Sequence, residues 1–480
     1  MKSIFRKTEL SINVSTKMHR TLGWPHLIAL GVGATIGTGI YTLIGVAADR
    51  AGPAVLISFL IAGLISASAA FAYAELVTAV PRSGGAYTFS YVVLGEFFAW
   101  IVGWALILEY SLVVSTVAVS WSGYAVGFLN GLGIKLPIWL TVGYHTVING
   151  ERGLINLPAV FIIFCVTGML IKGTRESAFV NTILVIVKML ALALFVAIAL
   201  PYFDADNLHP FMPYGFAKKI IVENGLPVEH GVMAAASIIF FAFYGFDAVA
   251  TAAEETKNPA RDLSIGIIGS LIICLAVYII VAVSAVGSSH YTNFASSAEP
   301  LAYIMRTLGQ GKTAAIIGAV AVITLPTVIL AYFYGQTRIF FVMGRDGLLP
   351  KALSRLNQRT KSPIVTSIFT AVVVSICAGI FRLDEIAALA NAGTLIAFTA
   401  TGLSLLILRI TAPNLPRKFK VPLVWINGPI IVFGCMYLFW NLPNVTKFYC
   451  TIWTCIGIVF YVVYGYWNSN LRNNNEYLSE

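Results

Sequence analysis

The feature that most constrains the fold of this chain is a series of twelve apolar segments of membrane-spanning length. A helix of about 20 apolar residues crosses a bilayer. The 480-residue chain is 58% hydrophobic and only 11% charged, whereas soluble domains carry about 25% charged residues. We number the segments spans 1 to 12, at residues 24–48, 54–78, 95–126, 158–172, 178–200, 234–254, 263–287, 314–343, 364–381, 386–408, 423–440 and 449–467. The pattern predicts an all-α integral membrane protein.

Basic residues are distributed unevenly between the two sides of the predicted membrane. With the N-terminus placed inside, 21 of the 31 lysines and arginines fall in inner segments, nine fall in outer segments, and Lys188 lies within the membrane. Cytoplasmic connections carry such an excess, so we expect a plasma (inner) membrane protein with both termini in the cytoplasm. The basic residues of the inner connections then account for the net charge of +10 without a nucleic-acid partner, and we expect some of them to contact anionic lipid heads.

The first span contains four glycines within Gly31–Ile40, and each weakens a helix by about 1 kcal/mol relative to alanine. One interpretation is close helix packing through Gly33 and Gly37. The other is an unwound segment, which is tolerated at mid-membrane only where it lines a cavity. A half-helix would then begin near Thr38 and Gly39, and its positive end attracts a carboxylate.

Span 6 carries a matching interruption. Gly245 and Asp247 break an aromatic segment that begins at Phe240. Interrupted spans at positions 1 and 6, each opening a block of five, are typical of an inverted-repeat transporter with its site at the midplane.

Three ionisable residues are predicted to lie deep in the membrane: Glu109, Lys188 and Asp247. One interpretation is static pairing with each other or with the backbone. The other is that at least one of them exchanges a proton, since an ionisable group at this depth is a functional candidate. By contrast, Glu75, Glu254 and Glu255 lie at inner ends of spans, where loop ion pairs are expected.

Residue patterns for enzymatic or metal chemistry are missing from the sequence. The six cysteines lie in apolar segments without a C-x-x-C pair, and the spans contain neither a Ser-His-Asp set nor paired histidines. We therefore predict no enzyme activity, no metal site and no cofactor.

Five motifs occur in order along the chain. They are Gly33–Gly39, Glu75–Tyr87, Leu108–Tyr110, Gly245–Val249 with Glu254–Pro259, and Tyr334–Arg338 with Arg345–Pro350. Together they resemble the cationic amino acid transporter (CAT) family, particularly its bacterial members, within the amino acid-polyamine-organocation (APC) superfamily. The resemblance covers residues 20 to about 465.

The resemblance implies a LeuT-type fold of two inverted five-helix repeats with twelve transmembrane helices in all. The repeats are expected at residues 24–200 and 234–410, and two peripheral helices at 411–467. A cytoplasmic leader, 1–23, and a cytoplasmic tail, 468–480, complete the chain.

The resemblance also implies the site residues. The substrate carboxylate would bind amides of Gly37, Thr38 and Gly39, and its amine would meet carbonyls along the two breaks. Lys188 matches a lysine that stands in for a sodium ion, so a proton and no sodium is the expected coupling ion, with Glu109 and Asp247 as further proton-coupling candidates. The complete predicted substrate set is Thr35, Ile36, Gly37, Thr38, Gly39, Phe241, Ala242, Phe243, Tyr244 and Leu325.

Leu325 and Pro326 in span 8 depart from the more polar or flexible residues expected there, and Leu325 is the residue placed in the substrate set. We expect Leu325 to narrow the pocket and so to favour alanine-sized substrates. The substitution Leu325→Ser is then expected to improve arginine uptake relative to alanine uptake.

The predicted function is a proton-coupled symporter for small neutral or cationic amino acids. An amino acid or polyamine exchanger of the same fold and a non-transporting amino acid sensor remain alternatives. Expected partners are the amino acid and membrane lipids; a small accessory transmembrane subunit is left open.

Overall fold

The computed structural model describes residues 22–80, 84–148, 150–172, 178–223, 226–253, 256–354, 364–415 and 417–472. All twelve predicted spans are helical. Their helices are Trp24–Thr35, Thr38–Tyr41 and Leu43–Ala51 in span 1, Val55–Ala79, Glu96–Gly131, Leu157–Ile171, Ala178–Ala199, Val232–Ile239 with Asp247–Thr251 in span 6, Pro259–Ser288, Gly311–Arg345, Ile364–Ile380, Leu383–Thr411, Val424–Asn441 and Asn444–Phe460.

Length and hydropathy agree with a multi-pass membrane protein. Within the described ranges, nine segments are long and apolar enough to cross a bilayer, and Leu157–Ile171 and Ile364–Ile380 are shorter apolar helices. Large apolar side chains on the outer spans are exposed, among them Phe179, Leu190 and Phe433. A bilayer accommodates such a surface, because lipid tails are as apolar as these side chains.

Within the described ranges, two short antiparallel hairpins in the connections add to the predicted all-α architecture. Strands β1 (Val147–Ile148) and β2 (Glu151–Arg152) precede span 4. Strands β3 (Lys219–Glu223) and β4 (Leu226–His230) precede span 6, with Lys219 opposite His230. Both hairpins lie outside the predicted membrane-spanning segments.

A separate ion cluster joins neighbouring elements at each end of the helix bundle. At one end, Arg50 donates to the carbonyl of Glu229 at 2.8 Å and to the carboxylate of Asp384 at 3.1 Å, which joins span 1 to β4 and span 10. At the other end, fully buried Glu75 contacts Arg409 at 2.6 Å and Arg417 at 3.1 Å. The predicted ion pairing of Glu75 is therefore confirmed, whereas Glu254 and Glu255 lie outside the described residues.

Pro326 lies inside the helix of span 8. Proline has no N–H, so the carbonyl four residues earlier loses its helical donor. That carbonyl belongs to Val322, and the indole N–H of Trp121 in span 3 donates to it at 2.9 Å. A side chain of a neighbouring span thus replaces the missing backbone bond.

The two predicted breaks occur at spans 1 and 6, and they touch each other. The first helix ends at Thr35, and Gly37 with φ −159° and ψ −132° separates it from the next, which begins at Thr38. In span 6, the helix ends at Ile239 and a new one begins at Asp247 after Gly245, whose φ is +123°. A Cβ at Gly245 would lie 2.8 Å from the carbonyl carbon of Ala34, so glycine permits both the backbone angle and the contact.

Candidate substrate and coupling site

A small cavity lies between the two breaks and spans 3 and 8. Its accessible volume is about 10 Å³, which is room for about one water molecule. A larger ligand therefore requires the surrounding side chains to move. The lining residues are Ala34, Thr35, Gly37, Thr38, Val113, Val117, Phe241, Tyr244, Val328 and Tyr332.

The polar groups of this cavity come from the broken helices. Buried polar atoms are normally paired, but the hydroxyl of Thr38 has no hydrogen-bond partner in the described part of the chain. The hydroxyls of Thr35 and Tyr244 interact with Cys274 and Thr394 only outside regular hydrogen-bond geometry. The amides at the start of the Thr38–Tyr41 helix have no preceding helical turn to donate to. The cavity thus offers both donors and acceptors to a small polar ligand.

Lys188 in span 5 connects the first break to span 8. The ammonium donates to the carbonyls of Gly33 and Ile36, both at 3.1 Å, and reaches the hydroxyl of Thr327 at 3.4 Å. Its side chain is 1% exposed. A buried cation thus occupies the point where the regular carbonyl ladder of span 1 ends, and both carbonyls stabilise it electrostatically.

Glu109 and Asp247 lie close enough to interact electrostatically, but they do not line the cavity. Asp247 accepts a 2.9 Å bond from the hydroxyl of Tyr110 and a 3.0 Å bond from the amide of Gly245. Glu109 is fully buried, and its carboxylate interacts with Asp247 and, outside regular hydrogen-bond geometry, with the hydroxyl of Thr394. The carboxylates therefore lie behind the second break rather than at the cavity wall.

The remaining predicted residues surround the breaks without lining the cavity. Ile36 presents its carbonyl to Lys188, and a Cβ at Gly39 would collide with the Cα of Ala242. Phe243 packs against the ring of Tyr278 at 5.3 Å. Leu325 is buried near Gly37, but Val328 lies closer to that glycine.

Sequence reasoning missed the four residues that spans 3 and 8 contribute to the cavity wall. Val113 and Val117 in span 3, and Val328 and Tyr332 in span 8, lie four residues apart and so share a helix face. Every face of these spans is largely apolar, so no change in residue type marks the side that meets the cavity. The only available signal was this spacing on the two spans that pack together.

The close contact at Gly39 gives a first prediction. Substitution to alanine would place a Cβ against the backbone of Ala242 and separate the two broken spans. A displacement near 1 Å costs about 100-fold in a positioned site, so we expect binding of every substrate to fall by about that factor. Ligand-induced thermal stabilisation of the purified protein measures the loss, and Gly39→Leu should be at least as severe.

Gly168→Ala in span 4 is the matched control for Gly39→Ala. A Cβ at Gly168 meets nothing within 4 Å, and alanine favours a helix by about 1 kcal/mol. Parental binding in the Gly168 variant and lost binding in the Gly39 variant are expected together. Tight binding by Gly39→Leu would mean that the ligand lies elsewhere.

Two broken spans in contact at the midplane, held by side chains from neighbouring spans, define a LeuT-type membrane transporter rather than an enzyme. Residues 22–461 match the family described as "Amino acid permease". The chain belongs to this amino acid permease family, which confirms the membership of the APC superfamily predicted from the motifs.

The chain is similar to several transporters over most of its length. It is 43% identical to the "Branched-chain amino acid permease BcaP" of Bacillus subtilis (strain 168), over 98% of this chain and 99% of the relative. It is 38% identical to the "Methylthioribose transporter" of the same strain, over 97% and 98%. It is also 38% identical to the "Cationic amino acid transporter 3, mitochondrial" of Arabidopsis thaliana, over 85% and 64%.

Proposed function

We propose that this permease is a proton-coupled symporter for neutral amino acids with apolar side chains, such as leucine, isoleucine and valine. The observation that carries the proposal is the cavity wall, to which Val113, Val117 and Val328 contribute together with the aromatic residues Phe241 and Tyr332. The 43% identity to a protein named a branched-chain amino acid permease supports the same substrate class. The orientation with both termini in the cytoplasm belongs to this proposal.

In this proposal, the backbone of the breaks recognises the groups that all amino acids share. The carboxylate binds the amides of Gly37, Thr38 and Gly39, at the positive end of the second half of span 1. The ammonium meets carbonyls near Thr35 and along Phe241–Tyr244. The carbonyl of Thr35 already accepts a 2.8 Å bond from Tyr278, and a carbonyl oxygen has a second lone pair with which to accept from the ligand.

The absence of charge at the wall argues against a cationic side chain. In the part of the chain described by the structure, no carboxylate lines the cavity. A buried cation without a partner costs several kcal/mol. Glu109 and Asp247 are therefore proposed to contribute to proton coupling rather than to bind a substrate side chain.

Lys188 is the proposed proton carrier. A charged lysine has three N–H donors and a neutral amine has two, and the ammonium here meets three oxygens. Loss of the proton would remove one donor and the positive charge, and so weaken the link between span 1 and span 8. Proton binding would thus favour one arrangement of the broken span, which is the differential interaction that coupling requires.

Uptake into proteoliposomes tests the function directly. The panel is labelled leucine, isoleucine, valine, alanine, arginine and methylthioribose, each with and without an inward proton gradient. We expect the branched amino acids to accumulate only with the gradient, and arginine to accumulate least. Uptake that requires internal amino acid and ignores the gradient would instead identify an exchanger, and binding without uptake would identify a sensor.

Substrate size should depend on Val328 in span 8. Its truncation to alanine removes two methyl groups from the wall, and one methylene in such a pocket is worth about 10-fold or more in discrimination. We expect Val328→Ala to raise uptake of phenylalanine relative to valine by about 10-fold. Competition between the two labelled substrates gives the ratio.

Leu325→Ser provides the comparison within the same span. Since Leu325 lies farther from Gly37 than Val328 does, we expect its serine variant to change the ratio of phenylalanine to valine less than Val328→Ala does. A rise in arginine uptake relative to alanine in Leu325→Ser would support the selectivity role predicted from the sequence. Equal ratios in both variants and the parent would exclude this face of span 8 from selectivity.

A further inference from the structure

Asn391 in span 10 is a buried polar residue that holds the second break. Its amide nitrogen donates to the carbonyl of Ser237 at 2.7 Å and to that of Ile238 at 3.0 Å. Its side chain is fully buried. The two carbonyls lie at the end of the Val232–Ile239 helix, immediately before the chain tightens into the 3₁₀ turn Phe240–Ala242.

The contacts of Asn391 repeat those of Lys188 in the other half of the molecule. Lys188 and Gly33 are 155 positions apart, and Asn391 and Ser237 are 154 positions apart. Each donor lies on the fifth helix of its repeat, and each acceptor lies at the break of the first helix of that repeat. Two donors at equivalent positions, both bound to backbone carbonyls of a broken helix, form one structural element that occurs in both repeats.

The two donors differ in chemistry. An asparagine amide has two N–H donors and stays neutral at physiological pH, whereas lysine exchanges its proton. The carbonyl oxygen of Asn391 itself has no hydrogen-bond partner in the described part of the chain. The hydrogen bonds of the Asn391 side chain at this position are therefore all donated by its amide nitrogen.

Glu109 contacts span 10 close to Asn391 in the chain. A Cβ at Gly393 would lie 3.2 Å from the Cβ of Glu109, and the carboxylate of Glu109 interacts with Thr394 and with Asp247. The second break thus lies between an uncharged donor on span 10 and the buried carboxylates.

We infer that Asn391 is a positioning residue for transport, the uncharged counterpart of Lys188, which holds the carbonyls of the second break so that Phe241 and Tyr244 keep their places at the cavity. This inference rests on the proposed transport function and extends it to span 10. Because Asn391 touches neither the cavity nor the substrate amides, its loss should slow turnover more than it weakens binding.

Asn391→Asp tests the donor role with little change in shape. An ionised aspartate only accepts hydrogen bonds, whereas a protonated one regains a single O–H donor. We expect uptake relative to the parent to fall by about tenfold or more near pH 7.5 and to recover at least partly near pH 5. Substrate affinity, measured by thermal stabilisation, should change by less than about threefold.

The matched control is Asn427→Asp in span 11. The amide of Asn427 also bridges two spans, because it donates to the carbonyl of Ser68 at 3.1 Å, but it lies away from both breaks. Its aspartate variant should keep the parental dependence of uptake on pH. Asn391→Leu, which lacks a donor at every pH, should be slow throughout the range and still bind substrate.

Three outcomes would overturn the inference. They are a ratio of Asn391→Asp to parent that does not change with pH, parental turnover in Asn391→Leu, and a loss of binding as large as the loss of turnover. If the aspartate variant does not fold, the comparison of turnover and binding in the leucine variant decides alone. A parent protein without uptake of any substrate in the panel would instead contradict the proposed function.

Discussion

Replacement of Lys188 by alanine should yield a folded protein that no longer concentrates substrate in response to a proton gradient. The substitution leaves the carbonyls of Gly33 and Ile36 without the ammonium that meets both at 3.1 Å. An orphaned buried acceptor costs about 1–3 kcal/mol. Two orphaned acceptors therefore lower the population of the transport-competent arrangement of span 1 by about 30-fold or more, since 1.4 kcal/mol changes an equilibrium constant tenfold. Gradient-driven uptake into proteoliposomes measures the effect.

The control for this substitution is Lys312→Ala, which removes an exposed lysine at the start of span 8. We expect that variant to accumulate substrate as the parent does. Substrate binding to Lys188→Ala, measured by ligand-induced thermal stabilisation, distinguishes a coupling defect from misfolding. Undiminished accumulation by Lys188→Ala across a pH gradient would reduce Lys188 to a purely structural role.

Glu75→Gln should cause the largest loss of stability among single changes outside the cavity. The carboxylate is fully buried, contacts Arg409 and Arg417, and accepts a 2.7 Å bond from the amide of Val421. Removal of one partner from a buried ion cluster costs about 3–5 kcal/mol, because the remaining charges stay buried without compensation. Thermal unfolding of the purified protein in detergent should therefore occur at a clearly lower temperature.

Glu151→Gln removes an exposed carboxylate in β2 and serves as the control for charge alone. Exposed charges contribute about 1 kcal/mol or less, so its unfolding temperature should match that of the parent. If the Glu75 and Glu151 variants unfold at the same temperature, the ion cluster of Glu75 does not hold the loop between spans 10 and 11 against span 2.

The sequence predicted the breaks because their residues conflict with a helix. Glycines at 31, 33, 37 and 39 weaken the helix of span 1, and Gly245 takes a φ that other residues avoid. Lys188 was equally clear, since an ammonium in an apolar run has few compatible partners. In both cases a local energetic cost pointed to the site.

The cavity wall and Asn391 were not predictable in this way. Val113, Val328 and Tyr332 are ordinary residues for a membrane helix, and no contrast with their neighbours separates a cavity face from a lipid face. Asn391 is a single uncharged residue. Its role depends on a hydrogen bond to Ser237, a residue 154 positions earlier in the chain. Only the packing of the spans reveals it.

The bond from Trp121 to the carbonyl of Val322, opposite Pro326 in span 8, has a consequence for how this sequence can vary. Loss of the tryptophan alone strands a buried acceptor, whereas loss of the proline alone restores a backbone donor that competes with the indole. The two positions are therefore expected to covary between relatives. The same holds wherever a side chain of one span hydrogen-bonds to a backbone group of another span. Substitutions at such pairs of positions are expected to occur together.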